Sequence, residues 1–301
     1  MSALSATREV ATSLVGRARG GERSSASIVF LIALWLSLLI AFFVLITLIV
    51  TTFLNGADRL DGQLLTEYTS ATPANAGARA AILGSIWVVG LTAILAIPLG
   101  VAAAIHLEEF ANRDRWYNRF IELNVQNLAA VPAIIYGMLA LGVLSLAGFQ
   151  SKNIVLGGAV ALGLLILPVI IIATRESLRA VPQEIRDGSL ALGATQWQTV
   201  RRQTLPSAVP GIATGTILAL SRALGEAAPL LLLGGLTYVA FDPNGILSGF
   251  TTMPIQIFNW TGRPQVEFRE LAAAASILLL AMLLAMNALA IYIRNRYQRR
   301  W

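Results

Sequence analysis

The sequence predicts an all-α, polytopic membrane protein with six transmembrane helices and both termini in the cytoplasm. Three observations carry this. Only 13% of its 301 residues are charged, against about 25% in soluble domains. Six apolar runs each reach the roughly 20 residues that a helix needs to cross about 30 Å of hydrocarbon. Arginine is distributed unevenly over the segments between those runs, which sets orientation.

The runs lie at about 28–54, 80–105, 123–149, 155–174, 208–236 and 270–293. The first follows 27 mostly polar residues and exceeds the about 7–15 apolar residues of a signal-peptide core, so it reads as a retained span. Residues 1–27 are expected to be a cytoplasmic segment, 28–79 the first helix and an outer loop, and 80–301 a five-helix core with an inner loop at 175–207. The polar 55–79 stretch is the one candidate linker. With the N-terminus inside, the inner segments hold sixteen basic residues: Arg8, Arg17, Arg19, Arg23, Arg113, Arg115, Arg119, Arg175, Arg179, Arg186, Arg201, Arg202, Arg294, Arg296, Arg299 and Arg300. The outer segments hold five: Arg59, Arg79, Lys152, Arg263 and Arg269. The net charge of +6 is thus a topology signal spread over four segments, and no nucleic-acid partner is implied. Glycines and prolines inside the runs, Gly211 and Gly215 among them, fit close helix packing and kinks.

Several chemistries are excluded. There is no cysteine, and His106 is the sole histidine, so thiolate and multi-histidine metal sites are absent. Lys152 is the only lysine and follows no glycine, so the phosphate-binding loop G-x-x-x-x-G-K-[ST] is missing and any ATP must be bound by a partner. No G-x-S-x-G, H-E-x-x-H or paired intramembrane carboxylate supports an intramembrane enzyme.

The inner loop between the fourth and fifth runs carries helix signals. Pro182 suits a first turn, continued by Gln183, Glu184, Ile185 and Arg186. Gly193 can close that helix as a left-handed cap. Thr195 and Gln198 have capping-box spacing for a second short helix, which Pro206 is expected to end. Leu190, Leu192, Trp197 and Val200 then either form a docking surface or pack on the chain's own inner face.

Asp187-Gly188-Ser189, Gly193 and Gln203-Thr204-Leu205-Pro206 resemble the Glu-Ala-Ala loop of importer-type ABC permeases. Glycine, Leu-Pro and spacing match; Asp replaces Glu, Gly-Ser replaces Ala-Ala, and Gln203 replaces Ile. The resemblance implies a type I ABC importer permease fold. It also implies that Asp187, Gly188, Ser189, Gly193, Ala194, Trp197, Leu205 and Pro206 form the helix that couples to an ATP-binding subunit, with Gly193 as its hinge.

Arg222 and Glu226 lie inside the fifth run. Counted from Ala208, Arg222 is about 21 Å along a helix, between the midplane and the outer leaflet, with Glu226 one turn further out. A central charge costs about 2.5–3.5 kcal/mol on insertion scales, and an i,i+4 pair on one face offsets part of that. Such residues face a bundle interior or a water-filled path. They are either a structural ion pair or a fixed charge on an oxyanion path, which arginine's fork suits. Arg175, at the inner end of the fourth run, is a third path candidate. Glu108 and Glu109 read as solvated inner-loop residues and His106 as interfacial. Phe258, Trp260 and Phe268 read as an outer aromatic belt or contacts to a delivery protein, with Tyr292, Tyr297 and Trp301 as an inner belt.

The stretch Arg222-Ala-Leu-Gly-Glu226-Ala-Ala-Pro229-Leu-Leu and the stretch Gly100 to Ala111, GVAAAIHLEEFA, are similar to PstA-type phosphate permeases, from about residue 80 onward. This resemblance implies phosphate as cargo, with sulfate or molybdate as the alternative anions. It implies two ATP-binding cassette subunits holding ATP and Mg²⁺, a second homologous permease and an extracytoplasmic binding protein, while this chain binds no cofactor and catalyses no covalent step. An ATP-independent channel or ion-coupled transporter would explain Arg222 and Glu226 but leaves the inner loop without a role.

Overall fold

The computed structural model describes residues 25–112, 115–235 and 238–297. Arg8, Arg17, Arg19, Arg23, Arg113, Arg299, Arg300 and Trp301 lie outside the described residues, as does most of the 1–27 segment. The chain divides into two units, Met1–Leu54 and Asn55–Trp301.

The first unit consists, among described residues, of most of helix α1 (Ser25–Gly56). Every residue from 27 to 51 is exposed. A helix apolar around its whole circumference is suited to lipid. The Thr47 and Thr51 hydroxyls are satisfied within the helix, each donating at 2.8 Å to the carbonyl four residues back.

In the second unit α2 (Arg79–Ile105) and α5 (Val155–Arg179) form the centre. They run side by side in the same direction, with Val88 beside Gly158 and Gly100 beside Ile170. Helix α8 (Leu205–Gly225) returns against α5. Gly215 lies so close that a Cβ there would stand 2.3 Å from the Cβ of Ala173. Small residues let membrane helices approach in this way. The long helix α11 (Val266–Tyr297) packs on α8 and on α10 (Met253–Thr261). Val88, Ala96, Leu162, Ile166, Ile170, Ala219 and Phe250 share one core.

Among the described residues five helices are long and apolar enough to cross a membrane, and a sixth crossing arises if one bent pair counts as a span. That pair occupies the third predicted run. Helices α3 (Trp116–Leu128) and α4 (Ala133–Leu146) meet at 115°, where a single span over 123–149 was expected. Pro132 explains the break: it has no N–H to give and disfavours helical backbone in the residue before it. The Tyr136 hydroxyl bridges the corner by donating to the Leu128 carbonyl at 2.5 Å.

The fifth run also departs from expectation. Helix α8 stops at Gly225, Glu226 is extended (φ −88°, ψ 124°), and a short α9 (Ala228–Leu232) follows. A continuous helix would drive the Pro229 ring into the Gly225 carbonyl. Helix α9 packs on α4, so tightly that a Cβ on Gly137 would be 2.4 Å from the Pro229 oxygen.

The 55–79 stretch is no free linker. Leu64, Ala76 and Ala78 are buried in a core with Trp260, Phe268 and Leu271. Trp260 and Phe268 are therefore interior residues rather than belt residues, whereas Phe258 is exposed. Tyr292 is exposed as well; the Tyr297 side chain is outside the described set.

Candidate functional site: two-helix loop and intramembrane charges

The loop after α5 folds as two short helices, α6 (Gln183–Ala191) and α7 (Gln196–Thr199). Pro182 is the residue just before α6 rather than inside it. Gly193 takes φ +82°, a left-handed conformation that costs other residues about 1–2 kcal/mol, and its N–H donates to the Leu190 carbonyl at 2.9 Å. Thr195 and Gln198 form a reciprocal capping box. Pro206 does not end the second helix. The chain stays helical through a π-turn (Val200–Thr204) into α8, where Pro206 occupies the first turn and needs no N–H partner.

The apolar loop residues divide. Val200 is buried, whereas Leu192 is 90% and Trp197 57% exposed, the Trp197 ring centroid lying 6.1 Å from that of Phe110. Asp187 and Gly188 are exposed, and Asp187 accepts from the Gln183 amide at 3.1 Å. The Ser189 and Thr199 hydroxyls are 2.9 Å apart, tying α6 to the end of α7. Ala194 and Leu205 are half-buried, the latter against Leu178, Val181, Ala208 and Ile212. Pro206 is exposed.

Behind the loop lies an ion-pair cluster. Arg175 donates to Glu108 at 3.2 Å and to Glu122 at 2.7 Å; Arg179 reaches Glu108 at 2.8 Å and Glu122 at 3.5 Å. Arg186 donates to Glu109 at 2.9 Å. The Glu108 and Glu109 side chains are only 4% and 8% exposed, which corrects their reading as solvated. They sit on a π-turn (His106–Phe110) that prolongs α2 into the bundle's end instead of releasing a loop. Arg175 is buried in this cluster, its guanidinium turned to carboxylates. His106 is exposed.

Arg222 is in a different place. Because α8 runs opposite to α5 with Gly215 level with Ala173, Arg222 lies roughly 10 Å beyond that level, away from Arg175. The structure therefore does not bring Arg175 and Arg222 together. Arg222 is exposed on the α8 face that carries Thr214 and Leu218. Among the described residues no ion pair or hydrogen bond holds it; the Tyr136 hydroxyl is within its electrostatic range. It occupies the last turn of α8, where a cation complements the helix dipole. Glu226 is half-buried just past the helix end and makes no ion pair with Arg222.

Asn287, which the sequence reading passed over, reaches the same region from α11: it accepts from the Ser221 hydroxyl at 2.5 Å. A carboxamide within an apolar run was the available signal. Among the described residues no cluster of His, Asp or Glu has the arrangement of a metal site.

Residues 96–301 match the family model described as "Binding-protein-dependent transport system inner membrane component". The chain is 32% identical over 257 residues to the "Probable ABC transporter permease protein YqgI" of Bacillus subtilis (strain 168), covering 81% of this chain and 86% of that protein. It is 31% identical to the "Phosphate transport system permease protein PstA" of Yersinia pestis, covering 86% and 88% of the two chains. A bacterial alginate ABC transporter, solved in complex with an alginate pentasaccharide-bound periplasmic protein, contains a chain with the same fold at TM-score 0.63 and 16% identity, covering 92% and 99%. A chain of the inward-facing MetNI methionine ABC transporter gives TM-score 0.58 at 17% identity, covering 73% and 95%. An all-helical multispan chain, with a capped two-helix loop and a family match over two thirds of its length, belongs to the inner membrane components of binding-protein-dependent transport systems.

Proposed function

We propose that this chain is a permease subunit of an ATP-driven importer and forms part of the path for inorganic phosphate across the cytoplasmic membrane. The observation that carries the reading is Arg222: a permanent cation on an exposed transmembrane face, with no carboxylate among the described residues paired to it. A paired arginine is neutralised, whereas an unpaired one attracts a tetrahedral oxyanion and can grip it with two N–H groups. Relatives named as phosphate permeases align across most of the chain, which favours phosphate among oxyanions.

The other parts take their places around that charge. Glu226, half-buried past the end of α8, limits how tightly the anion is held near Arg222. Arg175 acts from a distance by holding the helix ends together. The α6–α7 loop, from Asp187 to Pro206, faces the cytoplasm, as do both termini. Its exposed Leu192 and Trp197, hinged at Gly193, seat on an ATP-binding subunit. Two such subunits bind ATP and Mg²⁺ and perform the hydrolysis. A second homologous permease covers the exposed face of α8, and an extracytoplasmic binding protein delivers phosphate at the opposite end.

The test is ATP-dependent uptake of labelled phosphate, sulfate and molybdate into vesicles holding the assembled transporter. Phosphate is expected to be taken up preferentially. Uptake of sulfate or molybdate in its place would overturn the cargo, and uptake without ATP would overturn the energy source.

A further inference from the structure

The two neighbouring carboxylates at the end of α2 are shared between different elements. Glu108 accepts from Arg175 and Arg179 of α5, and Arg175 extends the chain of charges to Glu122 of α3. Glu109 accepts from Arg186 of α6 at 2.9 Å. Arg186 is itself anchored, donating at 2.7 Å to the carbonyls of Val181 and Leu178. The Glu109 carbonyl accepts a further hydrogen bond from the Gln196 amide of α7.

Packing joins the π-turn to α7 through Phe110 and Trp197, whose ring centroids are 6.1 Å apart, but it does little to hold α6. None of the nine residues of α6 is fully buried, and a cavity of about 560 Å³ separates the π-turn from α6 and α7, with Gln183, Leu190 and Thr199 on its wall. The hydrophobic effect therefore supplies little adhesion to α6. The Glu109–Arg186 ion pair, whose side chains are mostly buried on the wall of this cavity, supplies it instead.

From this arrangement we infer that Glu109 and Arg186 are a positioning pair that fastens the coupling loop to α2, and that the adjacent Glu108 passes the loop's displacement on to α5 and α3. The Glu108–Glu109 turn is thus the relay between ATP-driven movement of α6–α7 and the helices that flank the path. The pair touches neither cargo nor nucleotide. A π-turn suits the task, since such turns interrupt regular helix geometry at functional positions. The inference rests on the reading of the chain as an ATP-driven permease.

The experiment uses the whole transporter, reconstituted with its partner subunits, and reads anion uptake per ATP hydrolysed. In Glu109→Gln, the ATP-binding subunits are expected to co-purify and hydrolyse ATP, while uptake per ATP falls on the order of tenfold, within the usual range of inter-site coupling. The natural chain has no cysteine, so Glu109→Cys with Arg186→Cys offers a unique pair. Unbridged, it is expected to be uncoupled. Joined by a reducible bis-methanethiosulfonate, it is expected to recover most of the ratio and lose it again on reduction. Wild-type uptake per ATP in Glu109→Gln, or a ratio that bridging leaves unchanged, would overturn the relay. If Glu109→Gln fails to assemble, the bridged pair decides alone. The cargo is judged separately, from the wild type's choice among anions.

Discussion

Arg222 and Glu226 stand four residues apart without sharing a helix: α8 ends at Gly225, and Glu226 begins an extended segment. Their charges are consequently not locked to each other, and Arg222 keeps an open guanidinium on an exposed face. Arg222→Gln should therefore abolish uptake, to below a tenth of wild type, a loss in line with that of a charge-assisted contact worth more than about 1.4 kcal/mol. Membrane insertion and co-purification with partners should persist. Uptake near the wild-type level would remove Arg222 from the path.

Arg175 should behave differently. It is buried against Glu108 and Glu122, and removing one partner of a buried ion pair costs on the order of 3–5 kcal/mol. Arg179 still reaches both carboxylates, which puts Arg175→Met at the low end. The expected outcome is a lower thermal unfolding midpoint in detergent, with reduced yield. An unchanged midpoint would mean that the cluster does not hold these helix ends together.

The two loop glycines should respond in opposite ways. Gly193 is at φ +82°, so Gly193→Ala strains the cap by about 1–2 kcal/mol and should weaken retention of the ATP-binding subunit in pull-down. Gly188 is helical with open space where a Cβ would go. Gly188→Ala should favour α6 by up to about 1 kcal/mol and retain the partner at least as well as wild type. Equal behaviour of the two variants would contradict the cap assignment.

Close approach of α8 and α5 makes a compensating pair. Gly215→Ala places a methyl 2.3 Å from the Ala173 Cβ, an overpacking that costs roughly 1–3 kcal/mol. Adding Ala173→Gly should restore the unfolding midpoint. If the double variant is no more stable than the single one, the two helices do not meet at this point.

Much was legible in the sequence because it depends on local pattern. The low charge content, the lengths of the apolar runs and the Gly193 cap followed by the Thr195–Gln198 box all follow from a residue and its near neighbours. The match to the family rests on the same local signals. Prolines 132 and 229 were visible too, yet whether a proline kinks a helix or ends it depends on what replaces the lost hydrogen bond. At Pro132 the Tyr136 hydroxyl reaches back to Leu128, and after Gly225 the short α9 finds its place on α4.

Tertiary structure alone decided the partners of the charges. Glu108 meets Arg175 across 67 residues of sequence, and Glu109 meets Arg186 across 77. A hydrophobic run reports that a helix will enter the membrane, because burial of apolar surface is additive along the chain. An ion pair has no such additive signal: it exists only once two helix ends have been brought within hydrogen-bonding distance. The sequence by itself therefore determined a multispan permease with a capped two-helix loop. Helix packing determined that Arg175 is locked, that Arg222 is open, and that the end of α2 ties the loop to the bundle.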